Sequence, residues 1–243
     1  MKKLFIVGCS YTNFRDGECF GKSYPALIAK DYPHWHIYDA SEPGGSNDSV
    51  YLRLRYLEKL YGAPDKVIVQ WTHLTRTTVV TDEFIPRDFK HNTVENYTYC
   101  EQSDIKFPSV SITRSTFFLK TTNQIRRQQQ ILTTTTKLTL GRLSNFYSWF
   151  LNSQSLFWNT QKEIDLVNAV YGKDNVLMYD WQNRNSPGTY LSMSSNWIGS
   201  VADAFAKDNK FMRLGVDDAP HYAVEGQLEV YKWLMPHLNK LLT

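Results

Sequence analysis

The sequence predicts an α/β fold built on a parallel, doubly wound sheet. Two patterns carry that reading. An apolar strand run, a polar turn and a helical stretch follow one another repeatedly between Lys2 and Arg76, which is the order of strand, crossover helix and strand. The first run, Leu4 to Val7, is apolar without alternation, as in a strand covered on both faces. A length of 243 residues, 42% hydrophobic and 21% charged, suits one large domain with a real core, and excludes a disordered chain.

The elements follow in order. Leu4-Phe5-Ile6-Val7 is the first strand, and Gly8 permits the sharp turn that delivers Ser10 to the sheet edge. Residues 13–17 read as a loop. Residues 21–30 read as a helix capped by Ser23, with Pro25 in its first turn. Residues 34–40 form the second strand, and 41–48, with Gly44 and Gly45, form a tight turn into a helix over 50–61. Gly62-Ala63-Pro64-Asp65 closes that helix, and Lys66 to Trp71 is the third strand.

Regular patterning then lapses. Residues 80–116 carry scattered aromatics, Pro86 and Pro108 without periodicity, so an excursion or lid is expected there; surface decoration or an oligomer contact explains it equally. Two helices are expected over 115–137 and 145–171, the second with an aromatic stripe that reads as core. A fourth strand is expected at 175–180, a polar loop at 183–195, a helix at 197–207, a short fifth strand at 210–214 and a final helix over 224–242.

The bulk composition excludes several function classes. No apolar run is long enough to span a bilayer, and the apolar stretch after Lys2-Lys3 is too short for a signal-peptide core. The expectation is therefore a chain made in the cytoplasm without a leader. Cys9, Cys19 and Cys100 are odd in number and lack paired spacing, which argues against a disulfide framework. With 27 basic against 24 acidic residues, net +3, nucleic-acid binding has little support. His34-x-His36 has no accompanying carboxylate or cysteine cluster, so neither a metal nor another cofactor is expected.

Three junctions carry candidate chemistry. A serine at a strand-to-helix turn exposes its hydroxyl, and its own amide lies at the positive end of a helix, so Ser10 can supply both nucleophile and oxyanion donor. On that stretch alone a helix cap is the favoured reading of Ser10. The Gly44-Gly45 turn can point backbone amides outward at the same sheet edge, with Ser46, Asn47 or Asp48 as helix caps. Asp218 lies three residues before His221 on a loop containing Pro220, where a carboxylate can hold one imidazole nitrogen while the other faces outward. Asp217 is a nearby rival to Asp218. His73 reads equally as a hydrogen-bonded structural histidine or a catalytic one, Arg76 as the partner of a helix or a carboxylate, and His237 as a charge near a helix C-terminus.

Together, Gly8-Cys9-Ser10-Tyr11-Thr12, Gly44-Gly45-Ser46-Asn47 and Asp218-Ala219-Pro220-His221 resemble the SGNH (GDSL-type) hydrolases. The resemblance implies a three-layer α/β/α sandwich with a flavodoxin-like parallel sheet of about five strands, in a single domain spanning 1–243. It implies Ser10 as nucleophile, His221 as base, Asp218 as orienting acid, and Gly45 or Gly44 as an oxyanion donor. Cys9 stands where the family has Asp. The third block departs further: the family's Gly-x-Asn-Asp is replaced by Trp71-Thr72-His73-Leu74-Thr75. Thr72, His73 or Asn47 are the candidates to supply the missing donor. Trp71-Thr72 with Arg76 is similar to divergent members found in bacteriophages.

The resemblance implies a serine esterase or acylhydrolase acting on a small-molecule or carbohydrate ester, including O-acetyl or other short acyl groups. Two alternatives stand beside it. One is a weakly active or inactive binding module, such as a virion or tail component, whose partners would be copies of itself or a virion assembly. The other is an O-acyltransferase using the same triad.

Overall fold

A computed structural model describes residues 1–9, 11–12, 21–41, 45–72, 76–78, 90–101, 109–111, 153–180, 196–205 and 224–243. The expected strands appear as β1 (Lys2–Val7), β2 (Trp35–Asp39) and β3 (Lys66–Trp71). Short β4 (Arg76–Thr78) pairs antiparallel with β7 (Ser109–Ser111). The hairpin β5 (Lys90–Val94) and β6 (Tyr97–Glu101), then β8 (Val176–Asp180) and β9 (Trp197–Ser200), complete the strands described. Helices are α1 (Tyr24–Asp31), α2 (Val50–Tyr61), α3 (Ser153–Tyr171), short α4 (Val201–Ala204) and α5 (Val224–Leu242).

Among the described residues the main sheet runs β5-β6-β2-β1-β3-β8-β9. Neighbours are parallel except at the β5–β6 edge. The order β2-β1-β3-β8-β9 is the flavodoxin-like 2-1-3-4-5, with its switch point between β1 and β3, where ligands of such sheets bind outside the carboxyl ends.

Side chains alternate across the sheet. Leu4, Ile6, Ile37 and Ile68 pack with Tyr24 and Ile28 of α1 and Val230, Leu234 and Leu238 of α5. Phe5, Val7, Val67 and Val69 pack with Leu54 and Leu57 of α2 and Ile164 and Val167 of α3. Both faces of β1 are thus covered, the physical reason for its unbroken apolar run. Hydroxyl bonds tie α1 to α5: Tyr231 donates to Asp31 Oδ2 (2.6 Å) and Tyr32 to Asn239 Oδ1 (2.5 Å).

Three expectations are corrected. The stretch 80–116 contains regular structure: β5 and β6 turn through Glu95, which has φ 53°, and widen the sheet to seven strands rather than about five. Asn96 fixes the hairpin, its Nδ2 donating to the carbonyls of Ala29 and Trp35 (both 2.8 Å). Tyr97 and Tyr99 are buried on one face and Thr98 on the other, side chains alternating across the strand. Residues 197–200, expected to be helical, form β9; Gly199, at φ 124°, takes a conformation that helical residues do not adopt. Burial and Lys240 push the His237 imidazole down, which disfavours the charge expected near the helix C-terminus. Residues 115–152, 183–195 and 210–214 lie outside the described residues, as do the parts of 80–116 other than the hairpin and β7.

One polar contact joins the helices on the α2–α3 face. Glu163 of α3 accepts the Tyr51 amide in the first turn of α2 (3.0 Å). Burial pushes its carboxyl from 4.5 up to about 7, with Asp48 adding and the Tyr51 bond and Arg53 opposing. The folded state therefore holds this proton more tightly than the unfolded chain, and stability falls as pH rises from about 4.5 to about 7. Glu163→Gln keeps an acceptor for Tyr51 and removes the titration. We expect the variant to melt a few degrees above wild type near pH 8 and at the same temperature near pH 4. A difference in melting temperature that does not change with pH would contradict this.

Candidate active site

The first junction is a tight turn fixed from the sheet. Beyond β1, the Thr12 amide donates to the Cys9 carbonyl (2.9 Å). Gln70, near the end of β3, places Oε1 beneath this turn, where it accepts the Cys9 amide (3.0 Å), the Cys9 thiol (3.2 Å) and the Thr12 hydroxyl (2.9 Å). Its Nε2 donates to the Trp71 carbonyl (2.6 Å). Every polar atom of this buried amide is thus bonded, as burial requires. Cys9, at the family's Asp position, is a buried free thiol.

Gly8 is required by proximity. A Cβ there would lie 2.1 Å from Thr12 Oγ1 and 2.9 Å from Gln70 Oε1. Since Thr12 is short and branched, the clash is relieved only by breaking its bond to Gln70. Gly8→Ala is expected to destabilise the protein by about 1–3 kcal/mol, or roughly 2–4 °C of melting temperature per kcal/mol. An unchanged melting curve would show that the turn is looser than this.

Arg53 joins the first and second junctions. It occupies the buried stripe of α2 with Val50, Leu54 and Leu57. One terminal guanidinium nitrogen donates to the carbonyls of Gly8 (2.6 Å) and Ala40 (3.1 Å), at the carboxyl ends of β1 and β2; Nε reaches the Ser49 carbonyl (3.4 Å). Gly45 is buried in the second turn. Beyond it, the Ser46 hydroxyl donates to Asp48, and the Ser49 hydroxyl to the Ser46 carbonyl (2.9 Å).

The second and third junctions meet through Asn47. Its Oδ1 accepts the Thr72 amide (2.8 Å), and its Nδ2 donates to the Thr72 carbonyl (3.1 Å) and the Thr160 hydroxyl of α3 (3.2 Å). Two of the residues expected to supply an oxyanion donor are therefore brought together, but bonded to each other. The Asn47 amide hydrogens and the Thr72 backbone N–H are all committed to protein acceptors, so Asn47 holds the turn after β3 rather than offering a free donor.

The start of the last helix reaches the first junction. Gln227, in the first turn of α5, donates from Nε2 to the Tyr11 carbonyl (2.9 Å) and accepts the Tyr24 amide of α1 (3.0 Å). Ser23 occupies the expected cap position but makes no side-chain cap bond; Gln227 takes the first-turn amide instead. Ser10, Gly44, His73, Asp217, Asp218 and His221 lie outside the described residues.

Sequence reasoning missed Arg53, Gln70 and Gln227, although each left a signal. Arg53 and Gln227 are polar residues in the apolar stripes of amphipathic helices, and Gln70 interrupts an apolar strand. Among the described residues, no three His, Cys, Asp or Glu side chains group to hold a metal. No described helix is long and apolar enough to cross a membrane.

These junctions define the class first: a doubly wound α/β domain whose polar turns gather at the carboxyl ends of β1, β2 and β3. The fold is that of the SGNH (GDSL-type) hydrolases. The chain is similar to a crystal structure of TesA, with TM-score 0.52 and 12% identity over 99% of each chain. It is also similar to the psychrotrophic esterase EstA from Pseudoalteromonas sp., inhibited by monoethylphosphonate, with TM-score 0.52 and 9% identity over 100% of this chain and 99% of that one. No family model and no curated protein matches the sequence.

Proposed function

We propose that the protein is a serine esterase that cleaves short acyl esters, with an acylated carbohydrate as the substrate class. Ser10 is the nucleophile, His221 the base and Asp218 the acid that orients it. The observation that supports this most is the bond from Gln227 to Tyr11. It brings the helix that follows Asp218 and His221 in the chain against the residue after Ser10. One of the similar structures is that of an esterase.

In this reading Ser10 Oγ attacks the ester carbonyl while His221 takes its proton, and Asp218 stabilises the imidazolium. His221 then protonates the departing alcohol oxygen, leaving an acyl-enzyme. Water, deprotonated by His221, attacks that ester and releases the acid. The amides of Ser10 and Gly45 bind the oxyanion. An O-acyltransferase would differ only in admitting an alcohol in place of water. Residues 1–243 act as one domain, with the parts of 80–116 beyond the hairpin and the 183–195 loop shaping the acyl site.

A second reading is favoured by one observation. With the Asn47 amide hydrogens and the Thr72 backbone N–H committed to protein acceptors, neither of these groups serves as the third-block donor. One missing donor costs about 2.7–4 kcal/mol of transition-state stabilisation. A slow enzyme or a binding module, such as a virion component, fits that loss. Hydrolysis of p-nitrophenyl acetate and butyrate, and acetate release from acetylated sugars, separate the two. Turnover above the buffer rate supports the esterase, and none from folded protein favours the module.

A further inference from the structure

Gln227 is almost fully buried, on the α5 stripe that continues through Val230, Tyr231, Leu234 and Leu238. An amide in such a stripe is costly unless both its ends are bonded. Both are: to the Tyr11 carbonyl within the first junction at 2.9 Å and to the Tyr24 amide in the first turn of α1 at 3.0 Å. Gln70, from β3, holds the same turn independently through Cys9 and Thr12. Loss of Gln227 would therefore leave the turn shaped by the sheet, and remove only its link to the last helix.

We propose that Gln227 is a positioning residue that ties the turn after β1 to the start of α5, and that the proposed reaction of Ser10 with His221 depends on this tie. The inference rests on the reading of those two as nucleophile and base. Proton transfer between them needs an approach of about 2.6–3.2 Å, and a misplacement of about 1 Å can cost roughly 100-fold in rate. The chain reaches Ser10 one residue before Tyr11, and His221 shortly before the start of α5. A single amide therefore bridges Tyr11, the residue after Ser10 in the chain, and the first turn of α5, the helix that follows His221.

The test is the second-order rate of labelling by a fluorophosphonate probe, followed by intact mass, with melting temperature as the folding control. Gln227→Glu keeps an acceptor for Tyr24 but, when ionised, cannot donate to Tyr11. It should label about 10- to 100-fold more slowly than wild type near pH 9. The ratio of variant to wild-type rate should rise toward one near pH 5, where the protonated carboxyl donates again. Gln227→Met, which fits the apolar stripe, should stay slow at every pH. Folded Gln227→Glu or Gln227→Met labelling at the wild-type rate would overturn the inference, as would a ratio for Gln227→Glu that stays constant with pH. Absence of labelling on folded wild type is a different result, and removes the Ser10–His221 reading on which the inference stands.

Discussion

Ser10→Ala and His221→Ala are each expected to lower kcat for p-nitrophenyl acetate by roughly 10⁴- to 10⁶-fold, and to melt within a few degrees of wild type. In the proposed mechanism nucleophile and base act as one unit, so removing either would remove the acyl-enzyme route, and the double variant should be no slower than the worse single one. What remains is the modest catalysis of binding and oxyanion stabilisation. The stability expectation is equally specific. The turn carrying Ser10 is held through Gly8, Cys9, Tyr11 and Thr12 by Arg53, Gln70 and Gln227. Kinetics with parallel thermal melts check both halves.

Arg53→Met should have the largest effect on stability. The guanidinium is buried and donates to three carbonyls, of Gly8, Ala40 and Ser49. Methionine fills similar space but donates nothing, so those carbonyls lose that donor beneath the sheet edge. Breaking such an arrangement costs about 3–5 kcal/mol, or roughly 6–20 °C in melting temperature for a domain of this size. Arg53→Lys should fall between, because an ammonium reaches as a point charge rather than a fork. Thermal denaturation of the three proteins decides the matter. An Arg53→Met variant melting with wild type would mean that the first and second junctions are held by something else.

The parts of the fold that were legible are those in which burial alone dictates the sequence. β1, covered on both faces, is a continuous apolar run, and β2, β3, α1 and α2 fall where the alternation of runs and turns places them. The β5–β6 hairpin was not legible, because its strands are polar on one face and its turn is Glu95-Asn96 rather than a glycine pair. Asn96 docks it through contacts to Ala29 and Trp35 that no local pattern reveals. β9 was read as helix for a similar reason: its pairing with β8 is tertiary and overrides local preference.

The candidate site divides the same way. Glycine turns after strands one and two announce themselves, since backbone geometry demands them. The residues that hold those turns do not, because Gln70, Asn47 and Gln227 act across separations of 61, 25 and 216 residues. Asn47 shows the limit most clearly. The missing third-block donor made it a candidate to serve the oxyanion, and its amide hydrogens are bonded to Thr72 and Thr160.

The central claim is an activated serine at position 10, and covalent labelling tests it without knowledge of the substrate. Wild-type protein treated with a fluorophosphonate probe and weighed intact should gain a single adduct, absent from Ser10→Ala and His221→Ala. Folded wild-type protein that gains none, or a Ser10→Ala variant that still gains it, would contradict the account.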